Sequence, residues 1–353
     1  RTPLIYFLRD TMWRLGKWKT RELMEWVRKF DPNVIFLAAG DYAFPYRIAI
    51  CLSDRLHIPI VMWCADDFYI EPLNNGSFLR RIQCRKLVDL ARKAIHQAGT
   101  IVTISDMMQR DYAQLFEIPT KTVRISSTIN HYSLPAESRS GVVYVGNLGI
   151  NRIAPLVELG RALKETAITG FETIDVYSGE RNPSILQQIN KENGLDYRGC
   201  ISEQEVERLL GASKFIIFAE AFDNNSVCRT KYSLSTKIAE SLRSGACIIA
   251  YGPLEIASID YLRQYHAAYI LKEARELPDA IRHLSAEPDE YSRYTQCAQA
   301  LAERFHSAEV NEGCLRDILT EEIRNYQTIM NTEVKKCETK KKRAKPGCAV
   351  GMQ

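Results

Sequence analysis

The sequence predicts an α/β protein with two doubly wound parallel-sheet domains that face a cleft. Short apolar segments typical of strands alternate with amphipathic segments typical of helices along most of the chain. The strand segments are apolar at successive positions, which is typical of parallel strands covered by helices. A polar, turn-rich linker over residues 130–141 divides this alternation into two series. Two domains are therefore expected, over residues 1–137 and 138–304.

The first series begins with a helix over residues 20–30, whose apolar side chains fall on one face until Asp31 and Pro32 end it. Ser105 is the expected N-cap of a later helix, because its hydroxyl can accept a hydrogen bond from the first turn. The other helices are predicted over 45–56, 78–97 and 106–116, and the strands over 33–39, 58–63, 100–104 and 122–126.

The second series follows the linker and repeats the same alternation. Its strands are predicted over 142–145, 173–177, 215–218 and 246–250. Its helices are predicted over 154–164, 183–193, 203–211, 236–244, 256–264, 278–284, 291–304 and 309–327. We expect a C-terminal helix within residues 305–330 to pack back on the first domain. Residues 331–353 lose all apolar periodicity and are rich in lysine, so we expect a basic disordered tail.

Composition excludes several classes of protein. Of the 353 residues, 46% are hydrophobic and 25% charged, as in a soluble globular protein. No apolar run reaches the roughly 18 residues that span a bilayer, and no signal segment is expected, because the first residues form no apolar run. The ten cysteines show no CxxC spacing, so neither a zinc site nor a disulfide framework is expected. We expect a protein of the reducing cytoplasm.

The charge is unevenly distributed along the chain. Residues 1–137 carry 19 Lys and Arg against 14 Asp and Glu, whereas residues 138–330 carry 21 against 27. Basic residues are mixed with Trp13, Trp18 and Trp26 near the start, which is typical of segments that rest on anionic lipid. Solvated helix faces explain the pattern equally well. We expect an anionic membrane surface as a partner and a peripheral position at the inner face of the membrane. No nucleic-acid-binding signature is present.

A glycine-containing loop follows the first strand of the second domain. Gly146 and Gly149 lie between that strand and a predicted helix, and Arg152 stands next to the helix start. Backbone N–H groups of such a loop and the positive end of a helix suit a diphosphate. Arg152 adds a fixed charge and a two-pronged donor. The spacing is not that of a dinucleotide fingerprint, and an ordinary strand–helix turn remains the alternative.

A second motif spans residues 233–245. Ser235 or Thr236 can cap the predicted helix, and Lys237 lies in its first turn, where the helix dipole disfavours a cation. A bound anion would justify that placement. Glu240 lies one turn further along, where its carboxylate can accept both hydroxyls of a ribose. The alternative is a capped amphipathic helix without a ligand.

These residues carry a family resemblance. Residues 31–327 resemble GT-B-fold glycosyltransferases and are similar to the retaining, nucleotide-sugar-dependent family 4 (group 1) enzymes. In the family's Gly-Arg-x4-Lys element, Gly146 matches, Asn147 stands at the arginine and Arg152 at the lysine. In its Glu-x7-Glu element, Glu240 matches but the first glutamate, which usually contacts the donor sugar, falls on Tyr232.

The resemblance also extends to shorter segments. The Ser-Thr-Lys-Ile-Ala-Glu run ending at Glu240 is close to a Ser-x-Lys-x-x-Glu version found in polysaccharide and lipopolysaccharide transferases. The segment around Gly199 resembles the one whose backbone reads the nucleotide base. Residues 59–66 resemble the end of a first-domain strand of the family, which closes on His-Asp. Asp66 matches the aspartate, and Ala65 stands where the family has the histidine. The family's first domain starts earlier than this chain does, so we expect a first domain shortened at its N-terminus.

The resemblance implies two Rossmann-like domains and a glycosyltransferase acting on a glycan or lipid-linked acceptor. A UDP-sugar is the expected donor, with no cofactor and, since no Asp-x-Asp occurs, no metal. We expect Gly146, Asn147, Arg152, Gly199, Ser235, Thr236, Lys237 and Glu240 to bind the donor. We expect Arg152, Lys237 and the adjacent Asp66 and Asp67 to act in catalysis. Either aspartate could instead cap the following turn. Retention of configuration is expected. The rival enzyme classes are an inverting transferase and a sugar-nucleotide epimerase, and the alternative function is a catalytically degenerate glycan-binding or partner subunit.

Overall fold

The first domain is built on a four-stranded parallel sheet in the order β1-β2-β3-β4. The computed structural model describes residues 3–75, 77–95, 99–127, 134–166 and 168–343. The elements of this domain, in chain order, are α1 (Pro3–Leu15), α2 (Arg21–Phe30), β1 (Ile35–Ala38), α3 (Ala43–Leu56), β2 (Ile60–Cys64), α4 (Ile70–Asn75), α5 (Phe78–Ile95), β3 (Ile101–Thr103), α6 (Asp106–Phe116) and β4 (Thr120–Thr122).

The second domain is built on a six-stranded parallel sheet in the order β10-β9-β8-β5-β6-β7. Its elements are β5 (Ser140–Val145), α7 (Ile153–Thr166), β6 (Ile174–Tyr177), α8 (Pro183–Leu186), β7 (Leu195–Gly199), α9 (Glu203–Ala212), β8 (Ser213–Ala219), α10 (Asn224–Thr230), α11 (Thr236–Arg243), β9 (Cys247–Tyr251), α12 (Ala257–Gln264), β10 (Tyr269–Leu271), α13 (Leu277–Ala286), α14 (Pro288–Phe305) and α15 (Ala308–Arg343). The strand order reverses between β5 and β8, so a crevice opens where these two strands end.

The two faces of the first sheet are covered by different parts of the chain. Successive right-handed crossovers in one direction put α3, α5 and α6 on the same side. Their buried side chains pack there against Ile60, Met62 and Ile101. On the opposite face, Ile318 of α15 packs against Val61 and Val102. Helix α15, which follows the second domain, therefore returns to the first domain and ties the two together.

Two predicted segments differ most from the structure. The helix predicted over 183–193 is only α8 followed by a 3₁₀ turn, Lys191–Asn193. The predicted disordered tail is wrong for residues 331–343, which continue α15, because lysine and glutamate are good helix formers even without an apolar face. Residues 344–353 lie outside the described residues, as does part of the predicted linker, residues 128–133.

Candidate active site

A cavity of about 700 Å³ lies between the two sheets. On the first-domain side it is lined by Asp66, which follows β2, and by apolar side chains of the sheet. On the second-domain side it is lined by the loop that follows β5 and by residues 233–237, which lead into α11. The cavity thus faces the carboxyl ends of strands in both domains, where ligands of open α/β sheets bind.

A second cavity, of about 500 Å³, adjoins the first on the second-domain side. Gly146, Asn147 and Lys237 line both cavities. The second cavity extends over residues 177–181, at the carboxyl end of β6, and over residues 200–201, which follow β7. The two cavities together form a continuous groove large enough for an elongated ligand.

Local hydrogen bonds shape the loop after β5. The Tyr144 hydroxyl donates to the carbonyl of Asn147 (2.8 Å), and the Asn147 Oδ1 accepts from the Gly149 N–H (2.5 Å). Ile150 and Asn151 both have positive φ, 57° and 55°, a strained conformation for residues other than glycine. The loop is therefore held in a tight turn that brings its backbone to the groove.

Arg152 forms a buried ion pair that the sequence did not reveal. Its Nε and Nη2 donate to Oε2 and Oε1 of Glu220, each at 3.0 Å, and the Glu220 side chain is only 3% exposed. Glu220 follows β8, so this bidentate pair bridges the ends of the two strands where the sheet order reverses. Burial raises the pKa of Glu220, and the attraction of Arg152 offsets this only in part. Because Nε and Nη2 hold Glu220, Nη1 lies on the opposite side of the planar guanidinium, and Arg152 lines the first cavity.

The start of α11 also lies on the groove. Ser235 occupies the N-cap position, but its side chain makes no capping hydrogen bond, contrary to the expected cap. The N–H of Ser235 instead donates to Oγ of Ser258 (3.1 Å). Ser235, Thr236 and Lys237 all line the first cavity, so the positive end of this helix faces it.

Glu240 lies one turn into α11, where it pairs with Lys237. The Lys237 Nζ donates to the Glu240 Oε2 at 2.9 Å, and both side chains are partly exposed. The sequence therefore placed these two residues together correctly. Glu240 itself lines neither cavity, and it is connected to the groove through its ion pair with Lys237.

The adjacent aspartates of the first domain have different surroundings. Asp66 lines the cavity and its Oδ1 accepts from the Ser233 hydroxyl (3.4 Å). Burial raises the pKa of Asp66 above its usual value. The carboxylate of Asp67 instead accepts from three backbone N–H groups at the start of α4 and from the Tyr112 hydroxyl, at 2.7–3.0 Å. Asp67 therefore caps a helix, which was the alternative explanation, and Asp66 is the carboxylate that faces the groove.

Gly199 and Tyr232 are placed differently from the other predicted positions. Gly199 ends β7 with a φ of 82°, and its carbonyl accepts from the Ser178 N–H (2.9 Å). Its successors Cys200 and Ile201, rather than Gly199 itself, line the second cavity. Tyr232, at the position of the family's first glutamate, is buried among side chains of the first domain.

Comparisons with known proteins support the fold. No family model matches the sequence, and no curated protein matches it. Among solved structures, Anabaena HepE in complex with UDP has a TM-score of 0.62 at 14% identity over 84% of this chain and 81% of its own. A glycosyltransferase from Rickettsia africae has a TM-score of 0.63 at 11% identity over 94% of this chain and 83% of its own. WaaG, a glycosyltransferase involved in lipopolysaccharide biosynthesis, has a TM-score of 0.52 at 12% identity, covering 78% and 82%.

These likenesses establish that the chain has the GT-B fold of glycosyltransferases: two parallel-sheet domains, of four and six strands, on either side of a cleft. Among the described residues, no helix is long and apolar enough to cross a membrane. Nor does this part of the chain contain a group of three or more His, Cys, Asp or Glu side chains arranged to hold a metal ion.

Proposed function

We propose that this protein is a glycosyltransferase that moves a sugar from a nucleotide-diphosphate sugar to a glycan or lipid-linked acceptor. One observation carries the proposal: a single cavity brings Arg152, Lys237 and the start of α11 opposite Asp66. Such a cavity offers positive charge to a diphosphate on one side and a carboxylate to an acceptor hydroxyl on the other. The similarity in fold to solved glycosyltransferases supports the same function.

The chemistry requires stabilisation of a leaving diphosphate. When the bond between the sugar and the phosphate breaks, negative charge develops on the departing group, and preorganised donors lower that barrier. We assign this role to Lys237, the first N–H groups of α11 and the outward Nη1 of Arg152. Glu220 fixes the guanidinium of Arg152 in one orientation, so little reorganisation is needed during the reaction. These groups can neutralise the leaving charge without a metal ion.

We propose a UDP-sugar as the donor, with the base in the second cavity. This cavity lies beyond Lys237 and Gly146, as expected if the diphosphate occupies the junction of the two cavities. Glu240, beside Lys237, would then accept the ribose hydroxyls. HepE, which shares the fold, has been solved with UDP and with UDP-glucose.

Retention of configuration is proposed from the resemblance to retaining enzymes. In that case Asp66 orients the acceptor hydroxyl while the leaving phosphate takes its proton. Inversion is the second candidate, and it is favoured by a specific observation: Asp66 lines the cavity and its pKa is raised, as suits a general base. The anomeric configuration of the product, read by nuclear magnetic resonance, distinguishes the two mechanisms.

A panel of UDP-, GDP- and ADP-sugars tests the donor assignment. A nucleotide at 100 times its dissociation constant should stabilise the folded protein by about 2.7 kcal/mol, a clear rise in melting temperature. Lys237→Met should keep the fold, since the side chain is partly exposed, but lower turnover by about 10²–10³-fold. Lys272→Met is the matched control, because the Lys272 side chain is exposed and lines neither cavity. Stabilisation without turnover on any acceptor would indicate the degenerate binding subunit instead.

We also propose that α1 rests on an anionic membrane at the cytoplasmic face. Ile5, Leu8, Met12 and Leu15 recur at helical spacing and are 53–73% exposed. Arg14, in the last turn, supplies a positive charge beside this apolar face.

The similarity to WaaG is compatible with a lipopolysaccharide-type acceptor. The eight cysteines between residues 51 and 314 are free thiols, as in a reducing compartment.

Sedimentation with lipid vesicles tests this membrane contact. Met12→Ser should release the protein from vesicles containing anionic lipid, because it removes an exposed apolar side chain from the docking face. Leu254→Ser, at an exposed leucine of the second domain, should not. Two results would contradict the proposal that α1 rests on the membrane: equal vesicle binding by wild type and Met12→Ser, or an equal loss of vesicle binding in Leu254→Ser.

A further inference from the structure

A short segment of the second domain is attached to the first domain by every one of its side chains. This segment, residues 231–233, immediately precedes the start of α11. Each side chain makes one polar contact across the domain boundary: Lys231 Nζ to Glu71 Oε1 (2.8 Å), Tyr232 hydroxyl to Asp111 Oδ2 (2.6 Å) and Ser233 Oγ to Asp66 Oδ1 (3.4 Å).

Tyr232 is the centre of this attachment. Its side chain is 2% exposed and belongs to the hydrophobic core of the first domain, where its ring lies 6.4 Å from that of Tyr112. Its carbonyl accepts from the Ser105 hydroxyl at 2.8 Å. Separation of the domains would therefore expose a large aromatic ring and break two hydrogen bonds, one buried and one partly buried, and both changes cost free energy.

The backbone on either side of Tyr232 is held by its own domain. The Lys231 carbonyl accepts from the Ala257 N–H (2.7 Å), and the Ser233 carbonyl accepts from the Ser258 hydroxyl (2.8 Å). The Ser258 hydroxyl oxygen in turn accepts from the N–H of Ser235, at the start of α11. The phosphate-binding helix start is thus fixed within the second domain, and the 231–233 side chains fix the first domain against it.

We infer that Tyr232 is a positioning residue that sets Asp66 of the first domain against the start of α11. This role rests on the proposed transfer reaction. It predicts a division between two measurable quantities. Affinity for the nucleotide depends on groups anchored in the second domain, so it should survive loosening of the boundary. Turnover depends on the placement of Asp66, and a misplacement of about 1 Å can cost roughly 10²-fold.

Three variants and one control test the inference. Tyr232→Phe keeps the ring but removes the bond to Asp111, and Asp111→Ala removes it from the other side. Both should lower kcat about 10- to 100-fold while the dissociation constant for UDP stays within about twofold. Asp111→Asn keeps an acceptor oxygen and should restore most of the turnover. In the control, Tyr291→Phe, a buried tyrosine loses its bond to the Lys214 carbonyl within the second domain, and kcat should not change.

Hydrogen exchange gives a readout that does not need turnover. In Tyr232→Phe, peptides on both sides of the boundary, within residues 106–116 and 231–237, should exchange faster than in wild type. In Tyr291→Phe they should not. Unchanged kcat in Tyr232→Phe, a parallel loss of UDP affinity, or an equal effect of the control would each overturn the inference. Absence of turnover in the wild-type protein would instead overturn the proposed function on which the positioning role rests.

Discussion

Replacement of Arg152 by alanine should destabilise the protein as well as slow the reaction. The Glu220 side chain is 3% exposed, and Arg152 provides both of its ion-pair hydrogen bonds. Removal of one partner of a buried pair costs about 3–5 kcal/mol of unfolding free energy, because a charge is left without compensation. The pKa of Glu220, already raised by burial, should rise further without Arg152. The carboxyl group then takes up a proton as the pH falls, so the stability deficit of the variant should shrink from pH 7 to pH 5.

A second variant separates stability from catalysis. Arg152→Ala combined with Glu220→Gln leaves no buried charge and should regain most of the lost unfolding free energy. Its turnover should still be about 10²–10³-fold below wild type, because the outward donor to the diphosphate is gone. Urea unfolding at pH 7 and pH 5 measures the unfolding free energy, and initial rates of sugar transfer on the same preparations measure the turnover. Arg152→Ala within about 1 kcal/mol of wild type would refute the ion-pair reasoning. Near-normal turnover of the double variant would refute the role at the diphosphate.

Three further outcomes are expected. Cys200 is exposed and lines the second cavity, so bound UDP should slow its alkylation by iodoacetamide. An unchanged alkylation rate would show that the uracil base does not bind in this cavity. Ser233→Ala removes a hydrogen bond that lowers the pKa of Asp66, so the acid limb of the pH–rate profile should move to higher pH if Asp66 is the base. Burial lowers the pKa of His306 from 6.5 to about 4, so wild type should lose up to about 3 kcal/mol of stability as the pH falls through that range. His306→Gln should lack this loss in urea unfolding.

Local features of the fold were predictable from sequence because they depend on neighbouring residues. The Ser105 side chain accepts from the Met108 N–H at 3.3 Å, as its capping position predicted. The continuous apolar runs at β8 and β9 are central strands of the second sheet. Helix α10 was missed because it is only seven residues long and opens with two asparagines, which are poor helix formers. Its start is stabilised by Asp223, whose side chain accepts from the Ser226 N–H.

The candidate site was predicted in part. Gly146, Asn147 and Arg152 follow β5, and Lys237 lies at the start of α11, which comes after β8; all four lie on one groove because the carboxyl ends of these two parallel strands face the cleft. Asp66 and Asp67 could not be told apart by position, since adjacent residues differ in direction and only the surrounding backbone decides which one becomes a cap.

The sequence by itself determined the alternation of strands and helices, the loop after β5 and the charged residues at the start of α11, since periodicity, turn chemistry and helix polarity are local properties. The tertiary structure alone decided the partner of Arg152 and the position of Tyr232. Arg152 meets Glu220 across 68 residues because the sheet order reverses between β5 and β8. Tyr232 enters the core of the other domain because the two sheets face each other. Contacts of this kind depend on how strands are ordered and domains are docked, which no local pattern of residues specifies.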